Sequence, residues 1–198
     1  MRFYMLAVLV AFVAMNTAPF AGASAQEVAS DQQKAMEEYA KLMATNENHV
    51  YMRNFTGEWN VTTTSWMQPG APPSKNSGTS KGELVLGGRY LMMKYEGLMF
   101  GRPFEGIQII GYDNQQRKYV SFWIDNMGTA FYFTTGTREA GANTIDETGV
   151  WPDPMGGSSK VRSVTRLMSP DEFTYELYMV GSDGGEFKSL ENRVTRKK

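Results

Sequence analysis

Apolar and polar residues alternate along this chain from residue 57 to its end, and Gly, Asn, Asp, Ser or Pro clusters close each alternating run. The clearest pair is 104–112 and 118–125, flanking Asp113-Asn114-Gln115-Gln116-Arg117. Asp and Asn start turns there because their side chains bond their own backbone. Further runs at 57–67, 79–86, 89–100, 129–138, 144–151, 160–168, 172–180 and 186–195 bring the expected strands to ten. Gly87-Gly88 marks a tight hairpin, because glycine tolerates positive φ. Pro69-Gly70-Ala71-Pro72-Pro73 and the stretch 152–157 read as loops. All connections are short, and no helix alternates with the strands as a parallel sheet would require. Ten antiparallel strands must bury one face and protect two edges; closing the sheet on itself does both. The expected fold is all-β, a barrel of about ten antiparallel strands.

Parity leaves the phase of that barrel open. Phe173, Tyr175, Leu177 and Met179 oppose Thr174, Glu176 and Tyr178, while Val120, Phe122 and Ile124 oppose Tyr119, Ser121, Trp123 and Asp125. Aromatic residues thus occur on both faces. Ahead of the strands, Asp31 is placed to cap a helix whose Met36, Tyr39, Ala40 and Met43 share one side and which should stop near 45–46. A second helical stretch, 48–55, holds the sole histidine. With one apolar side each, both helices should rest on a larger body.

The first residues belong to export. Arg2 precedes an apolar run from Phe3 to Met15, and Ala23-Ser24-Ala25 supplies a small-residue cleavage site before Gln26. The run is too short for a bilayer, which takes about 20 residues. The expected organisation is therefore a leader at 1–25, a helical segment at 26–56 and the barrel at 57–198, in a periplasmic or secreted protein with no membrane span after cleavage. Formal net charge is −1, and no block of like charge suggests nucleic acid. The chain has no cysteine, which removes disulfides, thiolate metal sites and a cysteine nucleophile.

Several motifs carry a family resemblance. Gly57-x-Trp59 on the first strand resembles the opening of lipocalin-like (calycin) barrels, in which a basic residue of the last strand crosses the tryptophan; Arg193 and Arg196 are the candidates. Leu86-Gly87-Gly88-Arg89-Tyr90-Leu91, Phe104-Glu105-Gly106, Gly111-Tyr112-Asp113-Asn114, Asp125-x-Met127-Gly128-Thr129 and Thr165-Arg166 are more specific. Together with the proline-rich loop at 69–73 and with His49 ahead of the first strand, they resemble a bacterial family, domain of unknown function 1579, over 49–196. That resemblance implies a lipocalin-like fold and brings no established activity.

The candidate chemistry points to binding, since no nucleophile, base and orienting group fall into a recognisable set and catalytic residues are not expected. Trp59, Tyr95, Tyr112, Trp123, Phe131 and Tyr175 are the expected contacts to a small hydrophobic or amphipathic ligand, with Arg166 or a tyrosine hydroxyl at its polar end. Fourteen methionines add adaptable apolar surface. His49 is the one candidate ligand for haem or another cofactor, against the plainer reading of a helix histidine bonded to a neighbouring strand. One histidine and no cysteine make zinc an unsuitable guest. Asp113 and Asp125 end adjacent strands, about 20 Å or more apart at ~3.3 Å per residue, too far for a carboxylate dyad. Arg162 and Arg166 share a face and need carboxylates such as Glu176 or Glu191 if that face is internal. A non-catalytic homodimer, with the loop near Ala71 docking a partner, is the alternative use of such a barrel.

Overall fold

The computed structural model describes residues 25–99, 101–152 and 156–198, so the expected leader lies outside the described residues except for Ala25. Ten strands follow one another in sequence: β1 (Gly57–Ser65), β2 (Ser74–Val85), β3 (Tyr90–Met99), β4 (Arg102–Asp113), β5 (Lys118–Asp125), β6 (Tyr132–Thr137), β7 (Thr144–Pro152), β8 (Ser158–Ser169), β9 (Glu172–Val180) and β10 (Glu186–Arg196). Each pairs antiparallel with its sequence neighbours, and β1 pairs with β10, Val61 opposite Val194, to close the barrel. Closure removes both sheet edges. The boundaries follow the sequence pattern closely, except that β6 begins at Tyr132 rather than 129 and β2 begins at Ser74. Its polar start, Ser74 to Gly78, has no alternation of its own and is held by pairing with Ser65 to Val61 of β1.

Burial sets the phase. Trp59, Val61 and Thr63 of β1 point inward and are buried, whereas Glu58, Asn60 and Thr62 are exposed. On β9, Phe173, Tyr175, Leu177 and Met179 face in. On β5 the less hydrophobic parity is the inner one. Its inward face is Tyr119, Ser121, Trp123 and Asp125, while Val120, Phe122 and Ile124 take the outer wall with Phe131 and Phe133.

One end of the barrel is capped. Asn46 N-caps a short helix, Glu47–Tyr51, by accepting from the Asn48 N–H, and the His49 side chain accepts from the Asn46 N–H in return, at 3.0 Å. This helix runs into a 3₁₀ turn, Met52–Phe55, that inserts Met52 and Phe55 among Trp59, Leu91, Phe173 and Val194. Phe55 and Trp59 each meet the Phe173 ring edge to face, at 5.1 and 5.0 Å. Burying each such side chain contributes roughly 1.5–3 kcal/mol. The Trp59 Nε1–H donates to the Phe55 carbonyl at 3.1 Å, tying cap to barrel.

Arg196, not Arg193, is the basic residue of the last strand that crosses the tryptophan. Its guanidinium lies 4.1 Å from the Trp59 ring centroid, donates to the Thr56 carbonyl at 3.0 Å and to the Pro170 carbonyl, and pairs with Asp171. Gly57 suits its place because its φ is +102°, and a Cβ there would also displace the Arg196 guanidinium, whose Nη1 would lie 2.8 Å away. Arg193 stays outside, paired with Glu172.

The chain divides into two units, residues 1–44 and 45–198. The first holds one described helix, Ala25–Met43, which begins before Asp31 rather than at it. Its Met36, Tyr39 and Met43 are exposed. The helical segment after it therefore groups with the barrel as its cap.

Candidate functional site

A cavity of about 510 Å³ fills the barrel axis. It runs from Met52 and Phe55 at the cap to Met67, Leu98 and Pro152 at the opposite, loop-bearing end. Met67 and Leu98 are both lining and exposed, so the cavity reaches the surface there. The ten-stranded circumference leaves this space because many inward positions are small: Thr63, Ser65, Asn76, Ser80, Ser159 and Thr165 lie on the wall beside larger neighbours.

The middle of the wall is aromatic and aliphatic. Tyr95 and Phe104 meet edge to face at 5.5 Å, and Phe104 stacks on Trp123 at 6.2 Å. Gly106 makes room for that tryptophan; a Cβ there would fall 2.1 Å from Trp123 Cη2. The Trp123 Nε1–H donates to Asp125 Oδ2 at 2.7 Å, and the Met127 N–H donates to Asp125 Oδ1 at 3.0 Å. Nearer the loops, Tyr132 and Trp151 pack edge to face at 5.0 Å. Leu91, Met93, Ile110 and Ile145 complete the inner wall.

Polar groups on the wall are mostly satisfied within it. The Thr63 hydroxyl donates to Asn192 Oδ1 at 2.7 Å. Tyr175 presents its ring to the cavity while its hydroxyl hydrogen-bonds Ser163; burial raises its pKa. The buried Ser80 hydroxyl has no protein partner. Next to this wall lies a buried acid. Glu147 points inward from β7, is 3% exposed, and accepts from the Ser121 hydroxyl at 2.8 Å. Burial pushes its carboxyl up to about 7, only partly offset by hydrogen bonds from Ser121 and Thr134.

The sequence-derived candidates separate into three groups. Tyr95, Trp123 and Tyr175 line the cavity. Trp59 and Tyr112 belong to the capped end, Trp59 beneath Arg196 and Tyr112 against Tyr119 at 5.1 Å, and neither lines the cavity. Phe131, 59% exposed, and Arg166, also exposed, sit on the outer wall, so neither contacts a molecule inside. The reason is strand phase: β6 turns Tyr132 and Thr134 inward and β8 turns Ser163 and Thr165 inward, which leaves the parity of Phe131 and Arg166 outside. Arg162 faces outward as well, bonding Glu186 at 2.6 Å and Asp146 at 3.0 Å.

His49 is 5% exposed and lies in the cap, not on the cavity wall. Its Nδ1 accepts the Asn46 N–H, its ring meets Tyr112 edge to face at 5.8 Å, and it hydrogen-bonds the Tyr112 backbone. Burial, followed by the Arg89 charge, lowers its pKa. Among the described residues no group of three or more His, Asp or Glu side chains is arranged to hold a metal ion. Asp113 is a turn former, accepting from the Gln115 and Gln116 N–H groups at 2.8 and 3.0 Å.

Sequence reasoning missed Asp125 and Glu147 as interior groups. The signal for Glu147 was its parity with Ile145, two positions before it on β7. For Asp125 it was parity with Trp123, masked by the proximity of the Gly128 turn.

Comparison with known proteins supports the fold. The crystal structure of Rv2717c from M. tuberculosis superimposes with a TM-score of 0.55 at 14% identity, over 73% of this chain and 94% of that one. A redesigned β-barrel (18% identity, TM-score 0.40, 75% of this chain and 96% of that one) and a de novo designed fluorescence-activating β-barrel (17%, 0.41, 74% and 96%) are more distant in shape. No curated protein matches the sequence. The profile of the family described as protein of unknown function DUF1579 matches residues 44–196, from the capping helix through Arg196, and the chain belongs to that family.

Proposed function

We propose that the protein binds a small apolar or amphipathic molecule inside the barrel, without transforming it. The cavity of about 510 Å³, closed at one end by Met52 and Phe55 and reaching the surface at Met67 and Leu98, carries this reading. Its volume lies within the range of small-molecule sites, about 300–1,000 Å³, and its wall is mainly apolar with a few polar groups, as such sites are. The leader-like segment at 1–25 supports an exported, periplasmic or secreted location. No helix among the described residues is long and apolar enough to cross a membrane.

The neutral dye N-phenyl-1-naphthylamine tests the reading, because its fluorescence rises in apolar surroundings. Saturable enhancement by the wild-type barrel, abolished by a cavity-filling Thr165→Phe change that leaves the circular dichroism intact, is the expected result. Equal enhancement by Thr165→Phe would move binding off the cavity and reject it.

A second reading, a homodimer, rests on the outer wall. Phe131 and Phe133 are 59% and 54% exposed and stack at 6.4 Å beside Phe122, with Val150 60% exposed. Analytical ultracentrifugation of the wild type and of Phe133→Asp decides it: a concentration-dependent dimer abolished by the charge supports the reading, and a monomer throughout rejects it.

A further inference from the structure

Among the described residues that line the cavity, one carries a formal charge, and it is acidic. Asp125 lies on the wall between Trp123 and the loop-bearing end. Its oxygens accept from Trp123 Nε1–H and the Met127 N–H. A carboxylate has about four lone-pair positions, so two donors leave capacity for a further partner. Rings continue along the neighbouring strands: Tyr132 of β6 pairs opposite Trp123 and packs edge to face on Trp151 of β7, and all three line the cavity. Aromatic faces attract a cation through the ring quadrupole and repel an anion.

The basic residues near this end are elsewhere. Lys188, whose Nζ lies 6.0 Å from the Trp66 ring, is bound to Glu176 at 2.8 Å and Glu191 at 2.5 Å. Lys75 and Lys160 are exposed on the outward parity of β2 and β8, and Arg102 is exposed and not part of the lining. An anionic head group would therefore be desolvated beside Asp125 with no cation on the wall to receive it, which is costly.

We propose that the cavity selects a cationic amphiphile: an alkyl or aryl chain in the Leu91–Met93–Ile110–Ile145 interior, with an ammonium head held by Asp125 beside the rings of Trp123, Tyr132 and Trp151. The inference rests on the cavity-binding reading above and names its ligand class. Three probes that differ only at the head group test it: decyltrimethylammonium, decanol and decanoate, titrated by isothermal calorimetry with tryptophan fluorescence at about pH 8, where the carboxylic acid is ionised. The expected order is ammonium, then alcohol, then carboxylate, with the first step on the order of tenfold in Kd. Asp125→Asn should collapse the ammonium-to-alcohol ratio, with an unchanged circular dichroism spectrum and retained decanol binding showing that the fold is kept. Gln108→Lys, which places a cation on the adjacent strand within reach of Asp125, should weaken ammonium binding and raise the relative affinity for decanoate. Decanoate binding as tightly as the ammonium to the wild type, or an unaltered ratio in Asp125→Asn, would overturn the charge selection while leaving cavity binding intact. Failure of all three probes to bind would overturn both.

Discussion

Replacing Glu147 with Gln tests how the barrel interior treats charge. Glu147 is 3% exposed, and burial pushes its carboxyl from 4.5 to about 7. A folded-state pKa above the unfolded value means that the native state holds the proton more tightly. The associated stability is fully present below about pH 4.5 and is lost as pH rises through about 7. Each pKa unit is 1.36 kcal/mol, so the ionised side chain costs the fold roughly 3 kcal/mol at alkaline pH. Gln cannot ionise, and its carbonyl oxygen can still accept from the Ser121 hydroxyl. Glu147→Gln should match the wild type near pH 4.5 and exceed it by up to about 3 kcal/mol near pH 8.5. For a chain of this size that is up to about 10 °C in Tm. Differential scanning fluorimetry across that pH range, with chemical unfolding at the two ends, reads the difference directly. Other titrating groups, His49 included, act in both proteins and cancel. A Tm difference that does not change with pH, or a variant less stable than the wild type at alkaline pH, would refute the reasoning.

Other consequences follow from the cap and the wall. His49 has its pKa lowered by burial and Arg89, so its contribution is present above about pH 6.5 and is lost as pH falls; His49→Ala should cost about 1–2 kcal/mol at neutral pH and flatten this acidic-side slope in urea unfolding. Arg196→Met removes the cation over Trp59 and the bonds to Thr56 and Pro170, and should cost about 2 kcal/mol in the same assay, whereas Arg193→Ala should leave the midpoint in place. Gly106→Ala forces Trp123 to move, because the new Cβ would fall 2.1 Å from its ring; a loss of about 1–3 kcal/mol and a shifted tryptophan emission maximum are expected.

Strand positions were legible because each run alternates over its own length and ends in turn residues, so local sequence carries the information. The 104–125 hairpin needed only the Asp113-Asn114 turn and its flanking runs. Phase was not legible, because it depends on what the whole barrel surrounds. β5 shows why: Val120, Phe122 and Ile124 look like a core face, yet they lie outside beside Phe131 and Phe133, while Ser121 faces in to reach Glu147. Placing Phe131 and Arg166 inside followed from that ambiguity. The start of β2 was hidden for a related reason, since Ser74 to Gly78 is ordered by its partner strand rather than by its own pattern. Gly57-x-Trp59 pointed to a cationic lid, but Arg193 and Arg196 both suit the last strand. Only the register, with Arg196 opposite Trp59, separates them.

Native mass spectrometry tests the central claim, that this barrel carries a small molecule in its cavity. The full chain, residues 1–25 included, would be expressed and purified without detergent. The account predicts a reproducible added mass on the folded protein that disappears on denaturation and is absent from Thr165→Phe, whose new ring occupies the cavity. A folded chain recovered with no added mass that also fails to take up N-phenyl-1-naphthylamine or any of the three decyl probes would contradict it.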